Sequence, residues 1–161
     1  LRGRQDIRFV FVGDGKEKAA LQSKAEQKGL ENVLFVPSQP KNRMSAVLAA
    51  ADACIAILKP LEMYKTTYPN KVFDYMAAGR PVVLAIDGVI RQVVEQAGAG
   101  VAVPPGDAQA LADAVAFLAD NPQKAREMGA AGRLAVERSF NRWQQAAQMG
   151  AIMEEMVAKG R

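Results

Sequence analysis

The sequence predicts an α/β fold: a doubly wound parallel sheet with helices on both faces, in a single domain of 161 residues. Five short apolar segments alternate with helical ones, and each apolar segment is nearly continuous in hydrophobicity. This continuity is typical of parallel strands, because helices cover both faces of such a sheet. A chain of this length can bury a core without disulfides or metals.

Three strands are predicted in the first part of the chain. The first apolar run ends at the turn Gly13–Gly15, and a charged, Ala-rich helix that Gly29 closes follows it. Two further apolar runs with β-branched residues predict the next strands. The predicted elements are strand 8–12, helix 17–28, strand 33–36, helix 44–50 and strand 53–58.

The second part continues the alternation after a polar loop over 59–69, which prolines bound. Gly79 and then Pro81 end the helix that follows this loop, and Asp107 is placed to cap a later one. The predicted elements are helix 70–78, strand 82–85, helix 89–97 and strand 100–103, with helices over the remainder. The last segment, 141–157, is predicted to be a helix that either packs on this domain or docks on another.

Composition excludes several kinds of site. The only cysteine is Cys54, in an apolar run, so an internal disulfide is impossible and the residue is expected to fill the core. The absence of histidine removes the commonest metal ligand and general base. The longest apolar stretch, 46–58, falls short of the ~20 residues that cross a bilayer. The chain begins without Met or a signal sequence, so we expect a cytoplasmic protein and a piece of a longer one.

A net charge of +4 and a pI near 9.3 favour an anionic partner. A nucleotide diphosphate, a nucleic acid or an acidic membrane surface would each suit this charge. The basic residues are scattered and have no interleaved aromatics, which disfavours nucleic acid. In a parallel sheet the ligand lies at the carboxyl ends of the strands, so the loops 13–16, 36–43, 59–70 and 86–89 are expected to share one rim.

Gly13 and Gly15 are the first candidates for binding at this rim. Between a strand and a helix, missing side chains let the backbone approach a phosphate, although a tight turn explains the glycines equally well. The dinucleotide fingerprint requires a third small residue, and position 18 is lysine. An NAD-linked oxidoreductase is therefore the weakest of the functions considered.

The stronger candidate is the helix start Tyr68-Pro69-Asn70-Lys71. Pro69 and a capping Asn70 would leave free N–H groups pointing out of the first helical turn, and Lys71 adds a positive charge there. Asp74 shares the helix face and can accept two ribose hydroxyls. Alternatively, Asn70 is only a cap, Lys71 a solvated charge and Asp74 its ion-pair partner.

The chain carries a set of motifs: the string from Tyr68 to Val83, Gly88, the segments 97–100 and 103–107, and the opening Phe-Val-Gly-Asp-Gly. This set closely resembles the donor-binding region of glycosyltransferase family four. The resemblance implies two Rossmann-like domains and transfer of a sugar from a nucleotide diphosphate with retention of configuration. Residues 1–161 resemble the C-terminal nucleotide-sugar-binding domain. The first strand and the N-terminal acceptor domain would precede Leu1, so the fragment alone is expected to bind a donor without turnover.

The resemblance also assigns roles to residues. The diphosphate would lie on Asn70 and Lys71, with Gly13 and Gly15 nearby. The ribose would lie on Asp74, where the family has a second Glu. The family's first Glu, which contacts the donor sugar, is replaced by Thr66. The segment assigned to the sugar is Thr66, Thr67, Tyr68 and Pro69, and the segment assigned to the base is Phe35, Val36 and Pro37.

The implied function is a hexosyl- or N-acetylhexosaminyltransferase of cell-surface polysaccharide or lipopolysaccharide synthesis. Its donor is expected to carry UDP rather than GDP, its acceptor to be a lipid-linked sugar or a saccharide, and no metal or other cofactor is expected. Its partners would be the N-terminal domain of the same chain and the inner face of the cytoplasmic membrane, on which it could lie peripherally. The alternative is a non-catalytic α/β interaction module.

Overall fold

The computed structural model describes residues 1–160, apart from the side chain of Arg142. Strands and helices alternate through most of the chain, as the sequence predicts, and 3₁₀ helices occupy Lys41–Arg43 and Glu62–Thr66. The elements are β1 (Phe9–Val12), α1 (Lys18–Gln27), β2 (Val33–Val36), α2 (Met44–Ala49), β3 (Cys54–Ile57), α3 (Asn70–Ala77), β4 (Val82–Ala85), α4 (Val89–Gln96), β5 (Gly100–Ala102), α5 (Ala108–Asp120), α6 (Pro122–Ser139) and α7 (Arg142–Lys159).

All strand pairs are parallel, but they form two sheets rather than the single sheet that was expected. β1 pairs with β2, from Phe9 opposite Val33 to Val12 opposite Val36. β4 lies between β3 and β5 in a second sheet. Within residues 1–160 no strand ladder connects β1 or β2 to β3.

The core surrounds β4, whose four residues are all buried. Val82 and Leu84 face one cluster, which α3 and α4 complete with Val72, Met76, Ile90 and Val94. Val83 and Ala85 face the other cluster, which α5 and α6 complete with Ala114, Leu118 and Ala125. The prediction of helices on both faces is therefore confirmed for the second sheet.

The first sheet is much more exposed than the second. Val10 and Phe11 of β1 are 54% and 50% exposed, and neither α1 nor α2 contains a buried residue. Phe11 and Phe35 stack on each other, with ring centroids 5.2 Å apart. Arg4 ties the N-terminal segment to the second half of the chain through an ion pair with Asp120.

Cys54 is buried, as the sequence predicts. Burial disfavours the thiolate and raises the pKa of Cys54 to about 11, although the nearby charge of Arg80 acts in the opposite direction. The thiol is therefore protonated at neutral pH, and its role in the described structure is to pack.

Helix α7 does not pack in the way that its apolar residues suggested. Trp143 is 87% exposed. The other large apolar side chains of α7 are also more than half exposed: Met149, Ile152, Met153, Met156 and Val157. The interpretation of α7 as a packing helix of this domain is wrong for the described residues. Among these residues, no helix has the length and apolarity required to cross a membrane.

Helices α3 and α6 contact each other through glycine. A Cβ atom on Gly129 of α6 would overlap the carbonyl oxygen of Gly79, which follows α3. On Gly132 it would lie 3.0 Å from Cβ of Ala99 and 3.3 Å from Cγ of Met76. Because Gly129 and Gly132 carry no side chain, α3 can lie close to α6 at these two positions. This close contact fixes the position of α3 on the sheet.

We predict that Gly129→Ala destabilises the domain by about 1–3 kcal/mol, because the added methyl group forces two backbones apart. The matched control is Gly150→Ala, since a Cβ there meets no atom within 4 Å. The control should be neutral or stabilise by up to about 1 kcal/mol, because alanine favours a helix over glycine. Urea denaturation of both variants measures the difference, and equal effects would contradict the close contact.

Candidate functional site

The candidate site begins where α3 starts, at the carboxyl end of the second sheet. Pro69, with φ −67° and ψ 119°, is the N-cap, and Asn70 is the first helical residue. The prediction that Asn70 caps the helix is wrong, because Pro69 already occupies the extended cap position. Among the described residues, no side chain caps α3. The N–H of Val72 donates to the carbonyl of Pro69.

The N–H groups of Asn70 and Lys71 have no acceptor within residues 1–160. They are among the amides that every helix leaves unsatisfied at its start, and they carry the positive end of the helix dipole. The helix itself is held firmly, because Val72 and Met76 are fully buried. The start of α3 therefore presents two fixed donors to the rim.

Lys71 reaches back over the end of β3. Its Nζ donates a hydrogen bond of 3.2 Å to the carbonyl oxygen of Ile57, the last residue of the strand. Partial burial lowers the pKa of Lys71 below its usual 10.5. The ammonium is therefore less well solvated than a free surface lysine, and the interpretation of Lys71 as a solvated charge is not supported.

Asp74 is exposed, one turn after Asn70 on α3. In the described part of the chain its carboxylate forms no ion pair, since Lys71 turns to Ile57 instead. The alternative of a Lys71–Asp74 surface ion pair is therefore not what the structure shows. The carboxylate is available to accept hydroxyl groups.

The predicted loop over 59–69 contains the 3₁₀ helix Glu62–Thr66. The hydroxyls of Thr66 and Thr67 both donate to the carbonyl of Met63, at 3.3 and 3.1 Å. Their oxygens still have lone pairs that can accept hydrogen bonds from a ligand. Both threonines are exposed, and this short helix therefore forms one wall of the site.

Tyr68 and Pro69 join this wall to α3. Tyr68 is 54% exposed, and its ring centroid lies 6.4 Å from that of Phe73. Phe73 in turn contacts Phe140, which follows α6, at 4.9 Å. Phe140 could not be identified from the sequence, because no local pattern indicates that its ring contacts Phe73, 67 residues earlier.

The Gly13–Gly15 turn belongs to the first sheet. The N–H of Gly13 donates to the carbonyl of Val36 at 3.0 Å. Asp14 between the glycines accepts from Lys18 Nζ at 2.7 Å and from the N–H of Ser38 at 2.6 Å, and these two donors lower its pKa. Asp14 therefore holds the loops after β1 and β2 together.

Space remains open beside both glycines of this turn. A Cβ atom on Gly13 or Gly15 would meet no atom within 4 Å. Phe35 and Val36 end β2, and the exposed Pro37 follows them. The structure thus brings the expected base and turn residues to one end of the first sheet.

The assigned residues form two groups, one on each sheet. No hydrogen bond or ion pair between described residues joins the α3 group to the turn group. The α3 group contains Thr66, Thr67, Tyr68, Pro69, Asn70, Lys71 and Asp74. The turn group contains Gly13, Gly15, Phe35, Val36 and Pro37. Within residues 1–160 no cluster of three or more Cys, Asp or Glu side chains is close enough to hold a metal ion.

Most of this chain matches a known protein family. The family described as "Glycosyl transferases group 1" matches residues 1–121, well over half of the chain. The chain belongs to this glycosyltransferase family. The expected family resemblance is therefore confirmed.

Two curated relatives of this glycosyltransferase chain come from bacteria. It is 31% identical over 134 residues to a phosphatidyl-myo-inositol mannosyltransferase of Mycobacterium leprae, covering 83% of this chain and 34% of the relative. It is 27% identical over 151 residues to the amylovoran biosynthesis glycosyltransferase AmsK of Erwinia amylovora, covering 92% of this chain and 37% of the relative. The chain therefore spans little more than a third of the length of these relatives.

A solved structure shares the fold. Anabaena Alr3699/HepE in complex with UDP-glucose is similar with a TM-score of 0.75 and 21% identity, covering 96% of this chain and 45% of that one. The similarity extends over both sheets and their helices. The predicted α/β, Rossmann-like fold class of this glycosyltransferase chain is confirmed.

We predict that the affinity of the glycosyltransferase chain for UDP falls as the pH rises through the lowered pKa of Lys71. A bound diphosphate favours the ammonium, so binding takes up a proton wherever the free lysine is neutral. The loss should therefore begin below the usual lysine pKa of 10.5.

The control for this prediction is Lys71→Arg, because a guanidinium stays charged throughout this pH range. Calorimetric titration of both proteins between pH 7 and 10.5 measures the effect. If the UDP affinity of the wild type changes with pH no more than that of Lys71→Arg, Lys71 does not cause the pH dependence.

Proposed function

We propose that this chain is the C-terminal, nucleotide-sugar-binding half of a retaining glycosyltransferase. The whole enzyme would transfer a sugar from a UDP-linked donor to a lipid-linked sugar or saccharide acceptor in cell-surface polysaccharide synthesis. The observation that carries the proposal is the start of α3. Within one turn it holds two N–H groups and the carboxylate of Asp74, none of which has a partner among the described residues, and the partly desolvated ammonium of Lys71.

The diphosphate would bind at the N–H groups of Asn70 and Lys71. The helix dipole favours an anion at this position by a few tenths to about 2 kcal/mol. Lys71 would exchange the neutral carbonyl of Ile57 for a phosphate oxygen, which is the stronger partner of an ammonium ion. Gly13 and Gly15 would leave room for the phosphates on the side of the first sheet.

The ribose and the base would lie to either side of the diphosphate. Asp74 would accept two ribose hydroxyls, a role that fits its exposed and unpaired carboxylate. Phe35, Val36 and Pro37 would contact the base. UDP is favoured over GDP, and the UDP-glucose named for the Anabaena structure supports this choice.

The sugar would lie against Thr66, Thr67, Tyr68 and Pro69. The threonine hydroxyls are already oriented by their hydrogen bonds to Met63, so they present acceptor lone pairs to sugar hydroxyls. The family's carboxylate is replaced here by the neutral Thr66, which favours an N-acetylated or deoxy sugar. Hexosyl and N-acetylhexosaminyl donors are therefore the ones to compare.

Transfer would require no metal, because the protein itself supplies positive charge for the leaving diphosphate. The charge would come from the α3 dipole, from Lys71 and from Lys59 in the same rim loop. Lys59 forms no ion pair with any described carboxylate.

The N-terminal domain of the longer chain would be the first partner of this one. Helix α7 is suited to contact it, because the apolar side chains that it carries are exposed in the described residues. The names of two relatives, an amylovoran biosynthesis glycosyltransferase and a phosphatidyl-myo-inositol mannosyltransferase, support the proposed synthesis of a surface glycan. Such an enzyme would act in the cytoplasm, peripherally at the inner face of the membrane.

The first experiment is a titration of this chain with UDP, GDP, ADP and NAD, repeated with a form extended at its amino terminus. Selective binding of UDP, stronger in the extended form, is the expected result. Selective GDP binding would reverse the choice of base. Failure of both folded forms to bind any nucleotide would favour the interaction module.

We predict that Lys71→Ala lowers UDP affinity about tenfold, in line with the loss of one charge-assisted hydrogen bond. Lys124→Ala is the control, since this lysine lies on α6 and its removal changes the net charge equally. Calorimetry measures both variants. An unchanged affinity for Lys71→Ala would remove Lys71 from the proposed diphosphate site.

We predict that deletion of residues 142–161 changes the free energy of unfolding of this chain by less than about 1 kcal/mol, because exposed side chains contribute little to stability. Leu84→Ala in the core is the reference and should cost about 2–5 kcal/mol. Urea denaturation compares the two. A deletion as costly as the core substitution would show that α7 packs on this domain rather than serving another one.

A further inference from the structure

Gly88 lies at the rim between β4 and α4 and is the N-cap of α4. Its backbone has φ +89° and ψ −146°, which is a conformation that only glycine adopts readily. A Cβ atom here would overlap the carbonyl oxygen and Cα of Lys65. Gly88 is therefore in close backbone contact with the 3₁₀ helix Glu62–Thr66.

The turn that contains Gly88 is also fixed to α4. The carboxylate of Asp87 forms an ion pair of 3.0 Å with Arg91 of α4. The charge of Asp87 also helps to raise the pKa of Lys65, after the larger effect of the hydrogen bond from Lys65 to Glu62. Gly88 thus contacts the backbone of Lys65, while the ion pair of Asp87 with Arg91 fixes the turn to α4.

The support beneath this turn is rigid, because β4 and Ile86 are buried and Ile90 and Val94 of α4 are fully buried. The 3₁₀ helix, by contrast, contains no buried residue. Its position depends on what it contacts at Gly88. The residues that follow it, Thr66 to Pro69, are the ones assigned to the donor sugar.

We propose that Gly88 is a positioning residue that sets the location of the segment Thr66–Pro69 and thereby the recognition of the sugar. This inference rests on the proposed donor site. The nucleotide part of that site is supported differently, since α3 is held by Val72 and Met76 in the core. A change at Gly88 should therefore alter sugar recognition and leave nucleotide recognition in place.

The first test compares Gly88→Ala with Gly98→Ala. Gly98 also has a positive φ, of +61°, but a Cβ there meets no atom within 4 Å, so the control carries backbone strain without displacing a neighbour. UDP, UDP-glucose and UDP-N-acetylglucosamine are titrated against wild type and both variants. The readout is the ratio of the UDP affinity to the affinity for each UDP-sugar.

For Gly88→Ala we expect the UDP affinity to stay within about twofold of wild type. The ratio of the UDP affinity to the UDP-sugar affinity should change by about tenfold or more, because about tenfold is the usual effect of losing one positioned polar contact. Gly98→Ala should change neither quantity. An unchanged ratio in Gly88→Ala, with UDP binding intact, would overturn the inference and leave the proposed function standing. If neither the wild-type chain nor its form extended at the amino terminus binds a nucleotide, the result would instead contradict the proposed function.

The second test needs no ligand and examines the contact directly. Hydrogen exchange of residues 62–68, and tryptic cleavage after Lys65, are measured in the same three proteins. Both should be faster in Gly88→Ala than in wild type or Gly98→Ala, because the 3₁₀ helix loses its support. Equal rates would overturn the inference whatever the nucleotide titrations show.

Asp87→Asn provides a milder perturbation if Gly88→Ala folds poorly. It keeps the glycine and removes the carboxylate charge that pairs with Arg91 and fixes the turn to α4. Exchange of residues 62–68 should rise above the wild-type rate, and the UDP-sugar ratio should move in the same direction as in Gly88→Ala. Wild-type values for both measurements would contradict a positioning role for this turn.

Discussion

Burial of β4 on both faces is the interaction on which the rest of the candidate site depends. Helices α3 and α4 pack on one side of this strand and α5 and α6 on the other. The ends of β4 and β3 and the starts of α3 and α4 are thereby held at one rim. The polar groups at the rim need no burial of their own, because apolar contacts beneath them fix their positions.

The electrostatics of the rim follow from this packing. Lys71 is carried by a helix that the core holds, so its ammonium lies partly desolvated against a carbonyl rather than free in water. A desolvated charge interacts more strongly with an anion than a solvated one, since less water has to be displaced and the local dielectric is lower. The lowering of the Lys71 pKa and its expected affinity for a diphosphate thus have the same cause.

The elements of the fold could be predicted from the sequence because hydrophobic runs and glycine or proline stops act locally. The division into two sheets could not, since no local pattern specifies which strands pair with one another. The cap of α3 was misassigned because Pro69 and Asn70 both suit a helix start. The hydrogen bond of Lys71 to Ile57 and the contact of Phe73 with Phe140 join residues far apart in sequence, which no local pattern reveals.

The two parts of the candidate donor site rest on different supports, and this difference has a functional consequence. The residues assigned to the nucleotide lie on α3, which the core and Gly129 of α6 hold. The residues assigned to the sugar follow an exposed 3₁₀ helix that contacts Gly88. If the proposed donor site is correct, substitutions around Asp87 and Gly88 would change the sugar without loss of nucleotide binding, because they would move a surface segment and not the core. The proposed enzyme would then be able to vary its donor sugar while its diphosphate site stayed constant.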